Sequence, residues 1–190
     1  MPETMFNNLT GKLLVAMPGI GDPRFENSVI FMCAHSDEGS MGLIINQVSH
    51  DIQVRDVFEQ LGINPTDMMA PLPVHFGGPV ELGRGFVLHS VDYEADSASM
   101  AVSPTYSMTA SRDILSDIAL GGGPRERLLC LGYSGWGPGQ LEREIVENGW
   151  LTVDPTPEIV FDVPNAQKWD ASVRSIGVSP ALLSGEAGRA

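Results

Sequence analysis

The sequence predicts an α+β fold in a single domain spanning residues 1–190, and three observations carry that prediction. Short apolar runs of strand-like composition alternate with capped amphipathic helices. The early connections between strands fall short of the dozen or so residues that a parallel crossover needs, so the sheet should begin antiparallel. No internal repeat, low-complexity block or linker divides the chain, and its 190 residues suffice to bury roughly two-thirds of the unfolded surface without disulfides or metals.

The first strand is expected over Lys12 to Met17 and the second over Ser28 to His35, joined by the turn residues Gly21, Asp22 and Pro23. Asp37-Glu38-Gly39-Ser40 is a hairpin connection into a third strand, Met41 to Asn46. Val54, Val57, Phe58 and Leu61 follow the spacing of one helical face, with Gly62 as the stop and Pro65 beyond it. A strand at Val74 to Phe76 leads to a Gly77-Gly78-Pro79 corner and a strand at Gly85 to Val91; weaker strands at Ser99 to Val102 and Tyr106 to Met108 complete a meander.

Ser111 reads as the N-cap of a second helix that buries Ile114, Leu115 and Ile118 and ends at Gly121-Gly122-Gly123-Pro124. The apolar strand beginning at Leu128 then runs into a glycine-rich loop, Gly132 to Gly139, and a helix over Gln140 to Asn148. A short strand, Trp150 to Val153, follows. Asp162 is expected to cap a last long helix with Pro164 in its first turn and Trp169, Val173 and Ile176 along one face. Ser179-Pro180 opens a final turn.

Composition bounds the function. The net charge is −13, and the 11 Lys and Arg residues are scattered from Lys12 to Arg189 instead of forming a basic face. Nucleic-acid affinity comes mainly from basic side chains that displace counterions, so direct binding of DNA is disfavoured. No apolar run approaches the roughly 20 residues of a membrane span, and the start of the chain, Met1 to Asn8, has neither the basic region nor the apolar core of a signal peptide. A cytoplasmic protein without membrane partners is expected. Cys33 and Cys130 sit in apolar runs far apart in sequence and read as buried thiols.

Three segments together carry a recognisable pattern: Met17-Pro18-Gly19 through Asp22-Pro23 to Gly42-Leu43-Ile44-Ile45-Asn46; Phe76-Gly77-Gly78-Pro79-Val80 through Gly85 to His89; and Gly132-Tyr133-Ser134-Gly135-Trp136-Gly137-Pro138-Gly139. With Asn148-Gly149-Trp150-Leu151 and the Lys168-Trp169 helix, they resemble the AlgH/YqgE family over nearly the whole chain. The resemblance implies a mixed, largely antiparallel sheet, bifurcated or barrel-like, surrounded by helices. It implies little about activity, since such bacterial proteins are often labelled transcriptional regulators without a recognised DNA-binding motif. Ser134 departs from the alanine common in the family, which weakens a catalytic role for it.

The chemistry legible in the residues is sparse. Gly132 to Trp136 resembles a nucleophile elbow, but Trp136 stands where the last glycine is required, and Pro138 and Gly139 delay the helix. Anion binding at that helix start is opposed by Glu142 and Glu144 in its first turns. Cys33 and His35, one residue apart, should share a strand face and could begin a zinc site only with a third ligand from elsewhere. No metal or cofactor is implied.

The leading expectation is a non-catalytic module that binds a small molecule, a peptide or a protein at a surface built by Met17, Pro18, Asp22, Asn46, Phe76, Gly77, Gly78, Pro79, Gly132, Tyr133, Gly135, Trp136, Gly137 and Gly139. Trp136 would be its aromatic anchor, dispensable to the fold. Asp22 and Asn46 also have turn-forming explanations that need no ligand. The alternatives are a regulator that binds DNA, and a hydrolase or thiol enzyme using Ser134 or Cys33, with His35 or His89 and Asp22 available to complete a triad with the serine.

Overall fold

The computed structural model of the chain describes residues 8–94 and 99–183, so the residues ahead of Asn8, on which the leader reading rests, lie outside it. The described strands are β1 (Leu13–Ala16), β2 (Val29–Ser36), β3 (Gly39–Ile44), β4 (Val74–Phe76), β5 (Val80–Ser90), β6 (Ser99–Ala101), β7 (Tyr106–Thr109), β8 (Arg127–Trp136) and β9 (Trp150–Val153). The described α-helices are α1 (Val54–Leu61), α2 (Arg112–Ala119), α3 (Gln140–Val146) and α4 (Asn165–Ser175). All nine strands join one curled sheet, a half-barrel in the order β6-β7-β5-β8-β3-β2-β1-β9, with β4 beside β8. Neighbouring strands are antiparallel except for β4 and β8, which run parallel.

Alternation along the strands sorts the core into two faces. Leu13 and Val15 of β1, Val29 and Phe31 of β2 and Cys130 of β8 point into one continuous cluster closed by Ile159, Val160 and Val173. The opposite face is split. Val87 and Leu129 pack beneath Val57 and Phe58 of α1 and Ile114, Leu115 and Ile118 of α2. Leu14, Ala16, Ile30, Met32 and Ile44 pack with Trp136, Trp150 and Leu141 of α3. No helix among the described residues is long and apolar enough to cross a membrane.

The helix punctuation follows the sequence closely. In α1 the Asp56 carboxylate accepts the Gln53 N–H at 2.8 Å, and Gly62 takes the left-handed conformation (φ 70°) that ends the helix. Ser111 precedes α2 with extended backbone, although its hydroxyl makes no cap bond. Asp162 does not cap α4: it closes a π-helical turn over Glu158–Asp162, and Pro164 occupies the N-cap.

The main correction concerns Gly132 to Trp136, which are strand and not loop. Up to Leu131, β8 pairs with β4 and β5, and Tyr133 still pairs with Val80 at the start of β5; from Ser134 to Trp136 it pairs with β3. Gly132 lies at the change of partner with φ 71°, a left-handed value that kinks the strand where the sheet bends. Glycine reads as loop in a sequence, whereas here it supplies a corner within a strand that long-range partners hold extended.

A feature without a sequence signal is Lys168, 1% exposed on the inner side of α4. Its Nζ donates to the Ile45 carbonyl at 2.9 Å and the Val160 carbonyl at 2.8 Å, tying α4 to the end of β3 and to the π-helical turn. Burial pushes its pKa down from 10.5 to about 8. Between those values the unfolded chain holds a proton that the folded chain has released, so this group stabilises the fold progressively as pH rises. Lys168→Met should lose about 1–3 kcal/mol near neutral pH, because two buried carbonyls lose this donor. The advantage of wild type over the variant should widen by roughly 3 kcal/mol across that window, as read from urea unfolding of both proteins from pH 7.5 to 10.5; parallel pH profiles would contradict the buried ammonium.

Candidate functional site

The glycines of the two expected binding elements lie against each other. A Cβ on Gly77 would overlap the Gly132 carbonyl oxygen, one on Gly78 the Tyr133 carbonyl group, and one on Gly132 the Gly78 carbonyl oxygen. All three are buried. Their lack of side chains lets the corner between β4 and β5 press onto the β8 backbone, so the close approach they permit is to this chain and not to a ligand. Ser134 completes the lock: it is fully buried, and its Oγ donates to the Gly77 carbonyl at 3.2 Å.

The remaining expected residues divide among several surfaces. Asp22, Pro79, Gly135 and Trp136 line one cleft with a volume of about 350 Å³. Tyr133 instead faces a more open hollow, its ring edge-on to Phe86 with centroids 5.8 Å apart. Met17 and Pro18 border a different depression beside Trp169. Asn46 has a bonded turn role: its Oδ1 accepts the Val29 N–H and its Nδ2 donates to the carbonyl of Asn27, both at 2.9 Å. Phe76 packs against the cluster that holds Trp136. Gly139 is the left-handed N-cap of α3, and the Gly137 N–H donates to Gln140 Oε1.

The low-lying candidates for reactivity are tied up or buried. Cys33 and Cys130 are both buried in the continuous cluster, and burial pushes both thiols up, Cys130 to about 12. Cys33 and His35 do not share a face as alternation suggested. The β2–β3 register shifts between Met32 and Ala34, and the extra residue of that bulge turns His35 towards α3. There its Nδ1 accepts the Leu9 N–H at 3.0 Å, so Nε2 carries the proton and donates to Glu142 Oε1 at 2.7 Å. Burial opposes ionisation of Glu142, but the His35 hydrogen bond prevails and holds the carboxyl below its ordinary range. Among the described residues, no group of three His, Cys, Asp or Glu side chains could hold a metal.

The cleft is built from four stretches: the Gly19–Phe25 connection, the Pro79–Val80 corner, the end of β8 with α3, and Gly149–Trp150. Its wall is aromatic. Trp136 and Trp150 meet edge to face with centroids 6.0 Å apart, and Phe25 meets Trp150 in the same manner at 5.9 Å. At one side Arg24 Nη2 donates to Asp22 Oδ2 at 2.8 Å, which holds the Asp22 carboxyl below its ordinary range, while the guanidinium lies 5.6 Å from the Phe25 centroid.

At the other side stands Glu144. Burial raises its pKa, and the neighbouring indole N–H groups of Trp150 and Trp136 only partly offset that. Glu144 Oε2 and Trp150 Nε1 are both buried without a completed hydrogen bond. In the sequence Glu144 is only a carboxylate at a helix start; its place in the cleft depends on Trp150, at the start of β9, lying beside Trp136 of β8, which no local pattern signals.

Trp136 itself is 6% exposed and belongs to the core cluster with Leu14, Ile30 and Ile44. It cannot be the exposed, dispensable anchor the sequence suggested. As part of β8 its ring is inserted between the sheet and α3, leaving only a margin at the cleft.

Comparison with known proteins agrees with this architecture. The AlgH-like family profile matches residues 13–181. A UPF0301 protein of Paracoccus denitrificans is 52% identical, covering 97% of this chain and 98% of its own, and one of Ruegeria pomeroyi is 54% identical, covering 96% and 100%. The solution structure of the AlgH protein from Pseudomonas aeruginosa, also a UPF0301 protein, superposes with a TM-score of 0.80 at 37% identity over the whole of both chains. A crystal structure of a Corynebacterium diphtheriae protein shares the fold at 21% identity, with a TM-score of 0.68 over 90% of this chain and 88% of that one. The fold is therefore shared along most of the length of these relatives, and the chain belongs to the AlgH-like family.

Proposed function

We propose that this protein is a non-catalytic recognition module that holds a small ligand, or a side chain of a partner protein, in the cleft between the Gly19–Phe25 connection and α3. The observation that carries this reading is a cleft of about 350 Å³ in which the half-buried Glu144 carboxyl and the indole N–H groups of Trp150 and Trp136 meet beside an aromatic wall. That volume falls within the size range of small-ligand sites, which combine an apolar wall with a few placed polar groups. The enzyme alternatives lose their nucleophiles: Ser134 is buried and bonded to a carbonyl, and both cysteines are inside the core with raised pKa values. A regulatory role is compatible with recognition of a ligand or a protein. Direct contact with DNA is opposed by the net charge of −13.

Two measurements test the reading. Folded protein treated with fluorophosphonate or iodoacetamide should show no saturable labelling, with both cysteines reacting only after unfolding in urea; stoichiometric labelling of the folded chain would restore the enzyme alternative. In 15N–1H spectra, a panel of neutral, anionic and cationic small molecules should include at least one class that shifts the indole resonances of Trp136 and Trp150 saturably. Silence from every class would remove the cleft as a recognition site.

A further inference from the structure

The charges that face the cleft are unequal. Asp22, Glu144 and Glu147 supply carboxylates, and Arg24 supplies the guanidinium on the lining. Arg24 is already committed to Asp22 through its side chain and its backbone N–H, the latter donating to Asp22 Oδ1 at 3.0 Å. Glu144 and Glu147 are left without a cation among the lining residues. Glu144 sits on α3 and Glu147 at its C-cap; Arg143 of the same helix lies outside the cleft lining and favours ionisation of Glu144 from there. An anion entering this space would meet uncompensated negative charge in a molecule that is already strongly acidic.

The cleft also contains a pattern for what it could receive. Arg24 places a guanidinium against an aromatic ring, Phe25, while a carboxylate, Asp22, holds it through hydrogen bonds. The same two ingredients recur a few residues away without the cation: the Trp136 and Trp150 rings and the Glu144 carboxyl. Trp150 is 4% exposed, and the Glu144 carboxyl lies next to the Trp150 and Trp136 indole N–H groups, which favour its ionised form without overcoming the cost of burial. A cationic ligand bearing N–H donors would supply the counter-charge that no lining residue gives Glu144, and the aromatic wall favours a cation by its ring quadrupole.

We infer that the cleft recognises an organic cation, a primary ammonium or guanidinium group, with Glu144 as its counter-ion and the Phe25–Trp150–Trp136 wall as its apolar seat. This rests on the reading of the cleft as a recognition site and specifies its ligand class. Glu147, exposed at the rim, adds attraction at longer range. The cation is either a free small amine or guanidine, or the side chain of a lysine or arginine on a partner.

The test uses the full chain and its three tryptophan indoles, Trp136, Trp150 and Trp169. Trp169 donates to the Ala16 carbonyl away from the cleft and serves as the internal control. n-Butylammonium, n-butylguanidinium, butanol and butyrate are titrated at constant ionic strength, alongside the N-acetyl amides of lysine and arginine. The two butyl cations should move the Trp136 and Trp150 resonances saturably and leave Trp169 in place, with butyrate inert. Glu144→Gln, which preserves shape, should weaken the cations about tenfold, and Glu147→Gln about twofold.

Equal responses to butanol, butyrate and the cations would overturn the cation inference while leaving the recognition cleft standing. Unaltered cation binding by a folded Glu144→Gln variant would also overturn it. No response to any probe would sink both readings. Tighter binding of the amino-acid amides than of the butyl cations assigns the ligand to a partner's side chain, and the reverse order assigns it to a free small cation.

Discussion

Gly78→Ala is expected to abolish the native fold or to cost more than about 4 kcal/mol, the range reserved for substitutions that force backbone apart. The added methyl would overlap the Tyr133 carbonyl group and crowd the Ser134 nitrogen, both main-chain atoms of a central strand that cannot rotate away as a side chain could. Its φ of 154° adds conformational strain for any residue with a Cβ. The corner would have to lift off β8, breaking the Ser134 hydrogen bond to Gly77 and the pairing of Val80 with Tyr133. Gly139→Ala is the control: that glycine is also left-handed, at φ 73°, but a Cβ there meets nothing within 4 Å. It should lose only about 1 kcal/mol from backbone conformation. Urea unfolding followed by far-ultraviolet circular dichroism separates the two, and a Gly78→Ala protein as stable as the Gly139→Ala control would show that the corner does not lock the strand.

Trp136→Ala should cost about 3–5 kcal/mol, as expected for emptying an aromatic site in a packed core. The indole contacts the third core cluster, meets Trp150 edge to face, and helps seat α3 through its neighbour Leu141. Trp136→Phe keeps a ring in the same space and should lose less than half as much. Thermal and urea unfolding give both values; a loss below about 1 kcal/mol for Trp136→Ala would return the indole to the surface role first read from the sequence. The consequence for experiment is direct. Loss of binding in Trp136→Ala would not separate recognition from folding, whereas Glu144→Gln changes charge in the cleft at nearly constant shape.

Local chemistry was the legible part of this fold. The hairpin of β2 and β3, the faces and stops of α1 and α2, and the short β9 follow from spacing and turn residues, each within a few positions of where the structure puts it. Long-range placement was hidden. Nothing near Gly132 announces that Ser134 to Trp136 continue a strand, because their partner, β3, lies some ninety residues earlier. Lys168 reads as a solvated helix residue, and its burial depends on two carbonyls from Ile45 and Val160 that only tertiary packing delivers. The site was legible in the same proportion. Asp22, Pro79, Gly135 and Trp136 do border one cleft, while Met17, Pro18 and Asn46 border other surfaces, and Glu144 and Trp150 were missed as lining. A sequence shows which residues can bend or stack, but not which of them the closed sheet leaves facing the same space.

The change of partner along β8 has a consequence for how this chain is assembled during synthesis. Among the described strands, β6, β7 and β5 form one set, and β3, β2, β1 and β9 another; β8 alone hydrogen-bonds to both sets. Because β8 comes late in the chain, the first three strands emerge long before the one that joins them to β5. The nascent chain must therefore carry two unjoined sheet edges, at β3 and β5, until Arg127–Trp136 leaves the ribosome. One ten-residue strand thus joins both edges, so the sheet becomes continuous only late in synthesis, with β9 still to add at the free edge of β1.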